Sequence, residues 1–288
     1  MVSKVTRRGL LGGSALALAG YGASTLIRDG DEESAEQPPP ELEDRAESEA
    51  VDFPTNDTSR VEQSPAVGSG PSLRVQYPYG EHKGLSRLYE LDSRPTELYS
   101  QYWIRYDEDF DPSGLDGEWG GPKQPGFRYP GSYGTDDPPD GTNGWSSKPN
   151  VTPDGGLSQY TWDMSVDQGE YGKQYHVTDD FPFGEWVKLT QRLKLNNVTE
   201  DGEAYWDGVL QVWVNDDLEL DERSLRFSTE PEEQGIYGWL VFFFGGAEPS
   251  PRDQGLNFDE YVLSPDDVTD AESASEAARS DENGVRVF

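Results

Sequence analysis

The chain has no cysteine, and only two methionines and two histidines, among 288 residues. A disulfide framework, a zinc–thiolate centre and a thiol nucleophile are therefore excluded, and any folded body must be held by packing. Positive charge is also scarce: 23 Lys plus Arg face 56 Asp plus Glu, for a formal net charge of -33. Nucleic acid is excluded as a partner, because phosphate backbones demand basic patches. The apolar run at residues 10–20 falls short of the about 20 residues that an ordinary membrane span needs. The chain shows no long amphipathic helix and no internal repeat.

Aromatic residues are plentiful at 12%, alongside 32 glycines and 21 prolines. That is too aromatic for a wholly disordered acidic chain. The length accommodates one domain of about 200 residues with tails. Residues 1–28 read as a twin-arginine export signal, with Arg7 and Arg8 just before the apolar run. They imply secretion or cell-surface association. Residues 29–70 read as an acidic disordered linker, 71–265 as the folded domain, and 266–288 as an acidic tail ending in Val285, Arg286, Val287 and Phe288. Acidity also runs through the body, for example at 107–111 and 216–221. This pattern suits a halophilic archaeon: in about 1 M salt the Debye length falls to about 3 Å, and self-repulsion is screened. An acidic protein could then approach a polyanion that it would repel in dilute buffer.

The folded part follows a period of two, not 3.6. Leu98, Ser100, Tyr102, Ile104 and Tyr106 alternate with Tyr99, Gln101, Trp103 and Arg105. Val187, Leu189, Leu193 and Leu195 alternate with polar residues, and 209–214 is a strand closed by a turn at Asn215, Asp216 and Asp217. Residues 236–244 are almost continuously apolar and are expected to form a central strand buried on both faces. Residues 258–263 form a last strand. The economical solution is an all-β antiparallel sandwich of jelly-roll, concanavalin-like type.

Residues 123–162 collect most of the chemistry. Lys123 lies in a Gly-Pro-rich loop, Arg128 and Lys148 add charge, and Ser158, Tyr160 and Trp162 share one strand face by alternation. Cations, a phenol and flat rings together suit an anionic sugar polymer. Taken singly, the two rings read equally as core and Lys123 as a solvated lysine.

Several motifs in this order resemble the jelly-roll polysaccharide lyases of family 14 and their glucuronan-lyase relatives. They are Lys-Gln-Pro-Gly at 123–126, Gly-Thr-Asn-Gly-Trp-Ser-Ser-Lys at 141–148 and Gln-Tyr-Thr-Trp at 159–162. The stretches 185–196, 207–215, 242–246 and 258–264 continue the series. The resemblance implies β-elimination on a uronate polymer such as alginate or glucuronan, without a metal or other cofactor. It places the catalytic set on Lys123, Ser146, Lys148 and Tyr160. Trp162, Arg128, Trp145, Asn143, Tyr171, Lys173 and His176 are the expected substrate contacts. Two departures stand out. The family pattern has arginine where this chain has Lys148, losing a bidentate fork, and a second tyrosine where it has Trp162. Elimination needs the uronate carboxylate neutralised, a base for the C5 proton and an acid for the leaving oxygen. On this reading Lys123 and Lys148 neutralise charge and lower the pKa of Tyr160, which serves as base, acid or both.

Two further patterns carry less. Asp107, Asp109, Asp111 and Glu118 have the spacing of a calcium loop, but Pro112 stands where a glycine is required. Asn56, Asn150 and Asn197 begin glycosylation sequons. A non-catalytic carbohydrate-binding module remains open as a reading of the departures. A glycoside hydrolase is the third reading, although the body lacks the alternating carboxylate strand such enzymes often use.

Overall fold

A computed structural model describes residues 56–67, 70–82, 84–113, 121–246, 248–269 and 285–286. The export signal, most of the linker and most of the acidic tail lie outside the described residues.

Two antiparallel sheets form a sandwich. One contains β1 (Ser59–Glu62), β2 (Ser72–Tyr77), β4 (Glu97–Tyr106), β9 (Val187–Lys194), β10 (Gly208–Val214), β11 (Asp217–Leu225) and β13 (Gln254–Ser264) in the order β1-β2-β13-β4-β9-β10-β11. The other contains β3 (Ser86–Tyr89), β5 (Gly126–Tyr129), β6 (Trp145–Val151), β7 (Leu157–Trp162), β8 (Lys173–Thr178) and β12 (Tyr237–Val241) in the order β3-β12-β5-β6-β7-β8. The one helix among the described residues, α1 (Pro231–Gln234), spans 4 residues.

The period-two pattern decides which faces meet. Leu98, Tyr102, Ile104 and Tyr106 of β4 and Val187, Leu189 and Leu193 of β9 enter one continuous core with Phe127, Trp145 and Leu157 from the opposite sheet. Burying each large apolar side chain contributes about 1.5–3 kcal/mol, which a cysteine-free body requires. The hairpin between β10 and β11 turns at Asn215 and Asp216, with φ of 48° and 74°. Short polar side chains tolerate that left-handed region best.

Three expectations need correction. The folded body begins before residue 71, because β1 pairs with β2 inside the stretch read as linker. Residues 236–244 are buried on both faces as expected, but only Tyr237–Val241 form a strand, and β12 stands second from its sheet edge, between β3 and β5, not at the centre. The tail is not wholly outside the fold, since β14 (Val285–Arg286) pairs with Val262 and Leu263 of β13.

The calcium reading also gives way. Arg74 forks onto both carboxylate oxygens of Asp107, Arg252 pairs with Asp109, and Asp111 accepts from Ser113; Glu118 lies outside the described residues. Asn150 is 1% exposed, which closes that sequon to a glycan.

Candidate active site

Strand pairing brings the sequence-distant residues together. In β6, Trp145 and Val151 point into the core, so Ser146, Lys148 and Asn150 face outward from the sandwich. Lys148 pairs with Tyr160 of β7 and Ser146 with Trp162. Arg128 of β5 pairs with Ser146 from the other side. The outer face therefore carries Arg128, Ser146, Lys148, Tyr160 and Trp162 on three adjacent strands. From β12, Trp239 completes a floor: Lys148 Nζ lies 4.6 Å from the Tyr160 ring and 5.2 Å from the Trp239 ring, and Arg128 lies 4.8 Å from Trp239.

Lys123 reaches this face from the preceding loop. Its backbone is bridged to Asn150, and its Nζ donates to the Gly245 carbonyl at 2.8 Å. The loop is held from below by polar groups between the sheets. Gln191 donates to the Pro125 carbonyl at 2.8 Å, Tyr102 donates to Gln124, and Gln159 donates to both Gln191 and Ser147. Gly121 is forced by space, since a Cβ there would sit 1.4 Å from the Val151 carbonyl oxygen.

Electrostatics separate the groups. Lys148 is 3% exposed, and burial, with Lys123 and Arg128 nearby, holds its ammonium well below the usual lysine pKa. Burial lowers Lys123 to about 8, partly offset by the charge of Glu248. Among the described residues, Lys123, Arg128 and Lys148 form no ion pair, and Arg128 Nε is buried without a partner. Three cationic side chains thus crowd one face, a disposition that an incoming anion relieves.

The Tyr160 phenol goes the other way. Burial raises its pKa to about 12, although the Trp162 indole and the Gly172 backbone N–H pull the other way. This corrects the expectation that the lysines would depress it: loss of water around the phenol outweighs the groups that favour the phenolate. Gly172 can lie this close because a Cβ there would stand 2.7 Å from the Trp162 ring.

The sequence model of the family described as Polysaccharide lyase 14 matches residues 66–260. The chain belongs to this family. Among solved structures, the lyase is similar to alginate lyase Aly36B, with 25% identity and a TM-score of 0.52, covering 68% of this chain and 81% of that one. Alginate lyase vAL-1 from Chlorella virus shows 20% identity and a TM-score of 0.58, covering 71% and 88%. The marine PL-14 alginate lyase from Aplysia kurodai shows 16% identity and a TM-score of 0.53, covering 72% and 87%. Among curated proteins, none matches.

Residues from neighbouring elements stand beside both departures from the family pattern. Arg128, across from Ser146, places a guanidinium on the face that carries Lys148. Tyr133 places a second phenol beside Trp162: its ring lies 5.6 Å from Trp162 and 5.9 Å from the Arg128 guanidinium. Burial raises the Tyr133 pKa. Sequence reasoning missed Tyr133 and Trp239, because neither lies on a strand read as part of the site. It also missed Asn150, whose side-chain oxygen and nitrogen are both buried without a partner beside Lys123. The alternation Ser146, Lys148, Asn150 was the available signal.

Other expected contacts do not join the cluster. Trp145 is fully buried against Phe227, with ring centroids 5.1 Å apart, because adjacent strand residues cannot face the same side. Asn143 spends its amide on the Asp140 turn, donating to the Pro138 carbonyl and accepting from the Asp140 N–H. Lys173 pairs with Thr161, on the pleat opposite Tyr160. His176 shares the Ser158 pleat on the edge strand, 3.8 Å from Asp179. Tyr171 stands at the rim, half exposed, 6.5 Å from Trp162. Tyr171, Gln174 and His176 line a cleft of about 860 Å³ that adjoins Ser158.

Proposed function

We propose that the lyase cleaves a uronate polymer of alginate or glucuronan type by β-elimination, with Lys123 as base and Tyr160 as acid. One observation carries this reading: Arg128, Lys123 and Lys148 crowd the same face as the Tyr160 phenol, with Lys148 Nζ 4.6 Å from its ring. The similarity to three alginate lyases supports the substrate class.

Arg128 and Lys148 receive the uronate carboxylate, and the anion favours the protonated form of Lys148. Neutralising that carboxylate acidifies the adjacent C5 proton and stabilises the developing enolate. Lys123, with a pKa of about 8, is neutral in mildly alkaline solution and takes the proton. The C5–H electron pair becomes the C4=C5 double bond, and the bond from C4 to the glycosidic oxygen breaks. Tyr160 stays protonated up to about 12 and gives its proton to that oxygen. The phenolate left behind is held by the Trp162 indole and the Gly172 N–H.

Action outside the cytoplasm belongs to the same proposal, supported by Arg7 and Arg8 ahead of the apolar run. The test is ultraviolet absorbance of the conjugated product on a panel of uronate polymers in roughly 2 M salt, where charge is screened. A rise with wild type and none with Tyr160→Phe is expected. Uncleaved polymer throughout the panel, or full activity of Tyr160→Phe, overturns the reading.

A further inference from the structure

The unpaired cations of the catalytic face share a recognisable arrangement, and it occurs a second time. Arg128 stacks on an indole, lacks an ion pair and has a buried Nε without a partner. Arg226 does the same: its guanidinium lies 3.8 Å from the centre of the Trp206 ring, and its Nε is buried without a partner. Among the described residues, Arg60, Arg74, Arg94, Arg192, Arg223 and Arg252 are each spent on a carboxylate. An arginine left unpaired among so many acids, and set over a ring, is available to an external anion.

The ring is available too. Trp206 is 53% exposed and the adjacent Tyr205 51% exposed. The platform is firmly built. The loop carrying it is fixed by the Tyr205 N–H to the Asn197 carbonyl at 2.9 Å, and by Asp207, which accepts the Asn197 N–H at 2.8 Å. It is also tied to the catalytic face. The Met164 N–H donates to the Arg226 carbonyl at 2.8 Å, and the Asp163 carboxylate accepts the Arg226 N–H. Asp163 and Met164 directly follow Trp162.

We propose that Trp206 and Arg226 form an auxiliary binding site for a uronate unit of the polymer, the ring face carrying the sugar and the guanidinium its carboxylate. The proposal rests on the lyase acting on a uronate polymer. Its consequence is a lyase that grips long chains better than short ones, because only a long chain engages both the catalytic face and this platform.

The test compares wild type, Trp206→Ala, Arg226→Gln and Arg226→Lys, with binding read by calorimetry in a Tyr160→Phe background and cleavage read in the active background. Trp206→Ala and Arg226→Gln are expected to weaken binding of long polymer about tenfold. Cleavage of short oligouronates should be unchanged. Arg226→Lys should fall between, keeping the charge but losing the guanidinium. Thermal melting confirms that each variant folds, and Trp206→Ala changes an exposed ring only. Wild-type binding of long polymer by both Trp206→Ala and Arg226→Gln overturns the site while leaving the lyase reading intact. Loss of self-association with unchanged polymer binding also overturns it, making the patch a contact between copies of this chain. Absence of any uronate-polymer binding or cleavage by wild type overturns both readings.

Discussion

Trp162 and Tyr160 share one strand face, their ring centroids 6.3 Å apart, and the indole acts to lower the pKa of the Tyr160 phenol. The residue that replaces a second tyrosine of the family pattern thus supports the phenol that remains. A donor at that oxygen stabilises the phenolate, which an acid becomes once it has given up its proton.

Trp162→Phe keeps an aromatic surface but removes that donor. Turnover is expected to drop about tenfold or more, the scale of one lost oxyanion donor, with a smaller change in KM. Steady-state kinetics on one polymer separates the two. A change confined to KM would limit Trp162 to stacking.

The pH dependence follows from two shifts in opposite directions. Lys123 is depressed to about 8, so the neutral base accumulates above that pH, and kcat/KM should rise through it. Tyr160, raised to about 12, remains an acid across the accessible range. In Lys123→Arg the limb near pH 8 should disappear together with most activity. The same shifts act on stability. Between about 8 and 10.5 the unfolded chain holds the Lys123 proton that the folded chain has released, so this group makes stability rise with pH. Between 10.0 and about 12 the folded chain keeps the Tyr160 proton, so that group makes stability fall.

Arg128→Ala removes a guanidinium from the proposed catalytic face without opening the core. KM for the polyanion should rise about tenfold, with kcat less affected, since Lys148 still reaches the carboxylate. Initial rates over a range of polymer concentration test this. Unchanged KM would place carboxylate recognition elsewhere.

Trp145→Ala separates packing from recognition. The ring is fully buried against Phe227, and its loss should cost about 3–5 kcal/mol of stability. Denaturant titration reads the effect. A lowered affinity with undiminished stability would instead restore Trp145 as a substrate contact.

Salt should stabilise the protein. With a net charge of -33, self-repulsion weakens as the Debye length falls from about 10 Å at 0.1 M to about 3 Å at 1 M. Melting temperature followed across that range is expected to rise.

The sequence by itself determined the sandwich and the shared face of Ser158, Tyr160 and Trp162. Alternation along a strand is a local property, and Leu98, Tyr102, Ile104 and Tyr106 advertise the core whatever lies across from them. The same rule already forbids Trp145 and Ser146 from facing one way, although the motif joins them. Only the tertiary structure decided that Tyr133 and Trp239 join Arg128 in the cluster, because a loop residue and a residue of a strand far along the chain meet the site through packing and strand pairing, not through local pattern. It alone decided the direction of the Tyr160 shift. Residue identity gives the sign of each neighbouring charge, but the loss of water that outweighs those charges belongs to the packed fold.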